Sequence, residues 1–167
     1  YEGKEIILLS SNNYLGLATH PDLIQAAVQT TTQFGVGAGA SRLISGTLPP
    51  HTRLEHALAD FQGTESALLF GSGYLANLGI IPSLIEQGGL ILADRLCHAS
   101  MIDGCRLSRA DLRVFRHRDV AQVESLLKRR APHRPTLIVT EGVFSMDGDL
   151  APLPELAGLA EHYEATL

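Results

Sequence analysis

Apolar residues fall along this chain in two alternating patterns, short unbroken runs and stripes at helical spacing. Five runs read as strands: Glu5 to Ser10, Ala67 to Phe70, Leu90 to Ala93, Leu112 to Phe115 and Leu137 to Thr140. Runs this short and apolar throughout suit a parallel sheet buried on both faces. Between them the period changes to that of a helix. Pro21, in a first turn behind His20, predicts a helix to about Gln33. Thr52-x-x-Glu55 reads as a capping box for a helix carrying Leu54, Leu58 and Phe61. Leu75, Leu78, Ile81 and Ile85 share one face of a helix from Tyr74 to Gln87. Further helices are expected over 98–107, Val120 to Arg130 and Leu153 to Leu167. Strands alternating with helices predict an α/β fold, a mainly parallel sheet covered by helices.

Ligands of such sheets bind beyond the carboxyl ends of the strands. Three of those ends carry unusual polar content. After Phe70 comes Gly71-Ser72-Gly73-Tyr74, where a backbone can approach a ligand with no Cβ in the way. The positive end of the following helix makes this turn an anion site, with phosphate the first candidate. The turn lacks the third glycine of a dinucleotide fingerprint and the Gly-Lys-Ser/Thr ending of a P-loop, so a purely structural turn is the alternative. After Ala93 comes His98, an imidazole placed to stack on a flat ring or shuttle a proton, set against a structural histidine. The third end, Glu141 to Asp149, joins carboxylates, a hydroxyl and glycines. Without EF-hand spacing or a further acidic cluster it reads as a capped loop, with Asp147 and Asp149 as turn formers and no metal expected.

Two stretches are neither strand nor helix. Ser11 to Leu17 is turn-rich, with Asn12 and Asn13 suited to left-handed geometry. Phe34 to Thr47 has Gly35, Gly37, Gly39 and Gly46 interleaved with Val36, Leu43 and Ile44, a loop expected to pass close to something rather than a free linker.

The 167 residues suffice for about one domain with a substantial core. Hydrophobic content of 45% and charged content of 19% are those of a soluble globular protein. A net charge of −5 argues against nucleic acid or an anionic membrane as partner. No apolar run reaches the ~18 residues of a membrane span. Cys97 and Cys105 suggest reduced thiols, hence a cytoplasmic protein, rather than a disulfide framework. Tyr1 and an uncapped last helix suggest part of a longer chain.

Five stretches in order, SSNNYLGLATHP, FGVGAGASRLISGT, ALLFGSGYLANLG, ADRLCHASMIDG and VTEGVFSMDGDLAPL, resemble the pyridoxal-phosphate-dependent α-oxoamine synthases over essentially the whole chain. The nearest branch forms 8-amino-7-oxononanoate, in biotin synthesis, from L-alanine and pimeloyl-CoA with release of CO2 and CoA. The resemblance implies an aminotransferase-like fold (PLP fold type I) and a homodimer with its active site at the interface. Residues 1–34 would be an N-terminal segment, and residues 35–167 the first part of the PLP-binding large domain. It also implies roles. Gly73 and Tyr74 would contact the cofactor, His98 would stack on its ring and touch substrate, and Ser145 would contact the cofactor. Glu141 and Asn13 match positions lining the same site, Asn13 on the substrate side, and Asn77 adds a cofactor contact.

One departure stands out. Such a cofactor needs a lysine for its Schiff base and an aspartate on the pyridine nitrogen. The chain has only Lys4 and Lys128, and neither matches the family's lysine; the next family motif, DDAHG, would begin just past Leu167. Alone, these 167 residues are not expected to catalyse. Alternatives are another synthase of the family, of the glycine C-acetyltransferase or 5-aminolevulinate synthase type, or a non-catalytic partner subunit. A nucleotide-binding Rossmann domain ranks last, because the neighbours of Asp94 fit the synthase motif better.

Overall fold

The computed structural model describes residues 2–167, in two compact units that meet in sequence between Leu69 and Phe70. In the first unit a short 3-10 helix, Leu17–Thr19, precedes helices α1 (Pro21–Phe34) and α2 (Pro49–Gln62). Pro21 starts α1 as expected, with the His20 ring accepting from the Asp22 N–H. The run Glu5 to Ser10 is not a strand; Ile7 and Leu9 are 90% and 92% exposed, and no strand among the described residues pairs with it. The expected capping box is also absent. Helix α2 starts earlier, at Pro49, where the His51 Nδ1 accepts the Leu48 N–H at 3.0 Å.

Glu55 has a different task. Its carboxylate receives Arg42 in a two-pronged pair (2.6 and 3.0 Å) and accepts the Leu69 N–H at 2.8 Å, while Arg42 also donates to the Leu69 carbonyl at 3.2 Å. A further correction lies beside it: Ala67 to Phe70 is extended but belongs to no ladder among the described residues, and at Leu69 both backbone groups are taken by side chains. The Arg42 guanidinium and the Leu69 amide hold the Glu55 carboxyl at about 2, far below its ordinary 4.5. A depressed carboxylate stabilises above its unfolded pKa and loses that contribution as pH falls through the folded one. Acid titration from pH 5 to pH 2 should therefore release the glycine-rich loop from α2, and Glu55→Gln should make that step vanish while lowering the thermal midpoint at neutral pH. An unchanged midpoint in Glu55→Gln would show the pair to be without consequence.

The second unit is built on three parallel strands, β1 (Leu90–Asp94), β2 (Asp111–Phe115) and β3 (Thr136–Val139), in the order β2-β1-β3. Leu90 stands beside Asp111 on one side and Thr136 on the other. Helices α3 (Gly73–Leu84), α4 (Ala99–Leu107), α5 (Val120–Lys128) and α6 (Leu153–His162) cover the sheet. Strand alternation divides the core in two. Ile91, Ala93, Leu137 and Val139 pack with Ile81, Ile85 and Cys105 on the α3/α4 side. Leu90, Leu92, Phe115 and Ile138 pack with Val123, Leu127, Leu156 and Ala160 on the α5/α6 side. Of the helix face expected on α3, Ile81 is buried and Ile85 is buried just past its end, whereas Leu75 is half exposed.

The last helix is shorter than its periodicity suggests. It stops at His162, the Arg130 guanidinium takes the Tyr163 carbonyl, and Glu164 turns to a φ of 50°. Thr166 then pairs parallel with Leu137, donating to the Thr136 carbonyl at 2.9 Å and accepting from Ile138 at 2.8 Å. Those residues extend the sheet beyond β3.

Candidate active site

Strand order locates the site. From β1 the chain leaves for α4 on one face of the sheet; from the adjacent β3 it leaves for α6 on the other. Two neighbouring strands whose connections diverge leave a crevice at their carboxyl ends. That crevice is a cavity of about 420 Å³ lined by Leu96 to Ala99 from one loop and by Glu141 and Phe144 to Asp147 from the other. The loops are joined across it by the Glu141 carboxylate, which accepts the His98 backbone N–H.

His98 caps α4. The Ser100 N–H donates to His98 Nδ1 at 3.2 Å, and the Ser100 hydroxyl lies 2.7 Å from the same nitrogen. Nδ1 is thereby an acceptor, and the network assigns the ring proton to Nε2. Ser100 itself is buried and accepts from the Asn77 amide at 2.9 Å. The result is a relay, Asn77 to Ser100 to His98, that sets the tautomer of an exposed ring.

Helix α3 opens on the glycine turn. The Ser72 hydroxyl accepts the Leu75 N–H at 3.2 Å, and a Cβ at Gly73 would meet nothing within 4 Å, so this backbone is open to a ligand. The Tyr74 hydroxyl donates to Asp103 at 2.6 Å, and that carboxylate raises the phenol's pKa. Helices α3 and α4 lie close because Gly104 has no side chain: a Cβ there would stand 2.7 Å from the Asn77 carbonyl oxygen. Buried Cys97, beneath the crevice, is no nucleophile. Its burial, with Asp94 and Glu141 nearby, pushes the thiol up to about 12.

Of the residues singled out in the sequence, His98, Glu141 and Ser145 therefore surround one cavity. Asn77 reaches His98 through Ser100, and Gly73 and Tyr74 stand at the start of the helix packed on α4. Asn13 belongs to the first unit, where its side chain accepts the Ala18 N–H at 2.9 Å. None of the cavity's lining residues is a lysine, and Lys128 lies on α5 paired with Glu124. Two partners escape a reading of the sequence. Ser100 is there one residue of a motif, and His117, after β2, obeys the same rule that singles out His98, a histidine at a strand's carboxyl end. Asp149 is more than a turn former, since it meets both His117 and Arg118.

The sequence pattern of the family described as aminotransferase class I and II matches residues 4–166. An 8-amino-7-oxononanoate synthase of Geobacter sulfurreducens is 55% identical over 166 residues, 99% of this chain and 42% of its own length. A serine palmitoyltransferase from S. paucimobilis, solved with a bound PLP–myriocin aldimine, superposes with a TM-score of 0.94 at 42% identity, over 98% of this chain and 41% of that one. An 8-amino-7-oxononanoate synthase from Francisella tularensis does so at 0.75 and 32% identity, over 93% and 42%. The chain thus spans about two-fifths of the length of the relatives it matches. No helix among the described residues is long and apolar enough to cross a membrane.

Proposed function

This chain belongs to the aminotransferase class I and II family, and from that premise we propose that it forms part of a PLP-dependent synthase. The reaction would condense L-alanine with pimeloyl-CoA, releasing CO2 and CoA and giving 8-amino-7-oxononanoate. The observation that carries the reading is His98: an exposed imidazole, its proton held on Nε2, at a cavity shared with Glu141 and Ser145.

The residues present fit such a cofactor. The open backbone at Gly73, at the positive end of α3, suits its phosphate, with Tyr74 beside it. The cavity is of a size for a substituted pyridine ring, and His98 stands at its wall. When bound, PLP supplies an electron sink for the carbanion formed at the amino acid's α-carbon. The chain's own part is orientation. His98 stacks on the ring and presents the Nε2 proton, Ser100 and Asn77 hold that tautomer, and Glu141 fixes the His98 backbone. Ser145 would donate to the cofactor from the opposite loop. The full protein would be a cytoplasmic homodimer with the site at its interface, its Schiff-base lysine supplied outside these residues.

A second reading has its own support. The superposition on serine palmitoyltransferase favours a sister synthase with another amino acid and acyl-CoA. The test is an absorbance spectrum of the full-length protein carrying this chain, with PLP, then L-alanine, glycine and L-serine in turn. A visible band that shifts with L-alanine supports the first reading. A shift with glycine or L-serine alone moves the assignment to a sister enzyme, and no band at all leaves a non-catalytic partner subunit.

A further inference from the structure

His117 lines no part of the cavity, yet both its ring nitrogens face carboxylates. Nδ1 lies 2.9 Å from Asp94 Oδ1, and Nε2 lies 2.9 Å from Asp149 Oδ2. An ionised carboxylate only accepts, so both nitrogens must donate, which requires the imidazolium. Asp94 closes β1 and is 1% exposed, a buried charge that needs a partner. It also accepts the backbone N–H groups of Leu96 and Arg118, each at 2.9 Å. Arg118 reaches Asp149 Oδ2 at 3.0 Å, so two cations and two anions balance. The charges facing the ring are thus Asp94 from β1 and Asp149 from the 141–150 loop, with Arg118 as neighbour.

That loop moves as one piece if it moves at all. The Phe144 N–H donates to the Asp149 carbonyl at 2.9 Å, Gly148 to the Phe144 carbonyl at 2.7 Å, and Ala151 to the Gly142 carbonyl at 3.2 Å. Buried Phe144, next to Ser145, stands edge-on to the His117 ring with centroids 4.4 Å apart. The loop carrying Glu141 and Ser145 is therefore tied to the ends of β1 and β2 at three places, by the His117 ring, by Arg118 on Asp149 and by Glu141 on the His98 backbone. The ring is the tie that joins both strands at once.

We propose that His117 is a positioning residue: its imidazolium fastens the 141–150 loop to the carboxyl ends of β1 and β2, holding Glu141 and Ser145 at the cavity, and loosens that hold on deprotonation. Asp94 first, and Asp149 with it, raises the ring above its ordinary 6.5. A raised pKa means the tie is complete below the unfolded value and is lost as pH rises through the folded one. The inference deepens the functional reading above and rests on it only for the identity of the ligand.

The test uses the full-length protein that carries this chain, compared from pH 6 to pH 9. Amide exchange over residues 142–151, corrected for intrinsic rates, is measured without cofactor, and PLP affinity is measured by absorbance titration. In the parent, exchange should accelerate and affinity fall toward alkaline pH. His117→Gln should exchange fast at every pH and bind PLP about tenfold more weakly, with the parent's pH dependence gone. Asp149→Asn keeps the shape and removes one charge, so its loosening should begin at lower pH than the parent's. Protection and pH response unchanged in His117→Gln overturn the proposal, as does an unshifted transition in Asp149→Asn, the variant that decides if the first does not fold. A parent that shows the loop response but binds no PLP refutes the cofactor reading and leaves the clamp standing.

Discussion

His98→Ala, in a full-length protein carrying this chain, is expected to lower turnover by ~10²–10⁴-fold, the range lost when a positioned proton-transfer group is removed. The PLP absorbance band should survive, because the Gly73 turn proposed for the phosphate and the 141–150 loop do not depend on the imidazole. The fall should appear in kcat more than in KM if His98 acts on the reacting centre. Ser100→Ala gives a graded companion. It removes the hydroxyl 2.7 Å from Nδ1 and the acceptor of Asn77, but leaves the Ser100 backbone N–H that also donates to Nδ1. Its loss should be smaller than that of His98→Ala. Turnover in His98→Ala within twofold of the parent would end the role assigned to that ring.

The second large effect is structural. Gly104→Val should destabilise by about 3 kcal/mol, the upper part of the usual overpacking range. The added Cβ would stand 2.7 Å from the Asn77 carbonyl oxygen and 3.1 Å from the Ile81 methyl, and the first of these is backbone that cannot turn aside. Helix α3 would have to lift from α4. The Asn77–Ser100 and Tyr74–Asp103 hydrogen bonds span that same contact, so the tautomer relay should fail along with the packing. Denaturant titration measures the first effect, and the turnover of the fraction still folded measures the second. Gly158→Val, where a Cβ meets nothing within 4 Å, is the control for helix propensity alone.

Function in this architecture is vulnerable beneath the site as well as within it. The site is made by loops, but what orients those loops lies one layer below: a glycine between two helices, a serine beneath a histidine, a charged ring between two carboxylates. A substitution at any of them would leave the lining of the cavity chemically unchanged and still misplace it.

Local pattern was enough for much of this protein. Apolar runs identified β1 and β3 to within a residue, because strands covered on both faces have no polar positions to blur them, and β2 as closely although Arg113 and Val114 stand exposed on it. Proline at a first turn located α1, and the carboxyl-end rule drew attention to His98, Glu141 and Ser145 before their convergence was visible. Tertiary structure decided the rest. Whether Ala67 to Phe70 joins a ladder depends on what meets its backbone, and at Leu69 that is Arg42 and Glu55. Whether the last helix continues depends on Arg130, 33 residues upstream of the carbonyl it takes. The His117 cluster joins residues 23 and 32 positions apart, and no period or motif encodes such a meeting. Periodicity reports how one segment divides apolar from polar, which burial alone imposes. Ion pairs and shared hydrogens report which segments meet, and that is a property of the sheet order β2-β1-β3, set only when the whole unit packs.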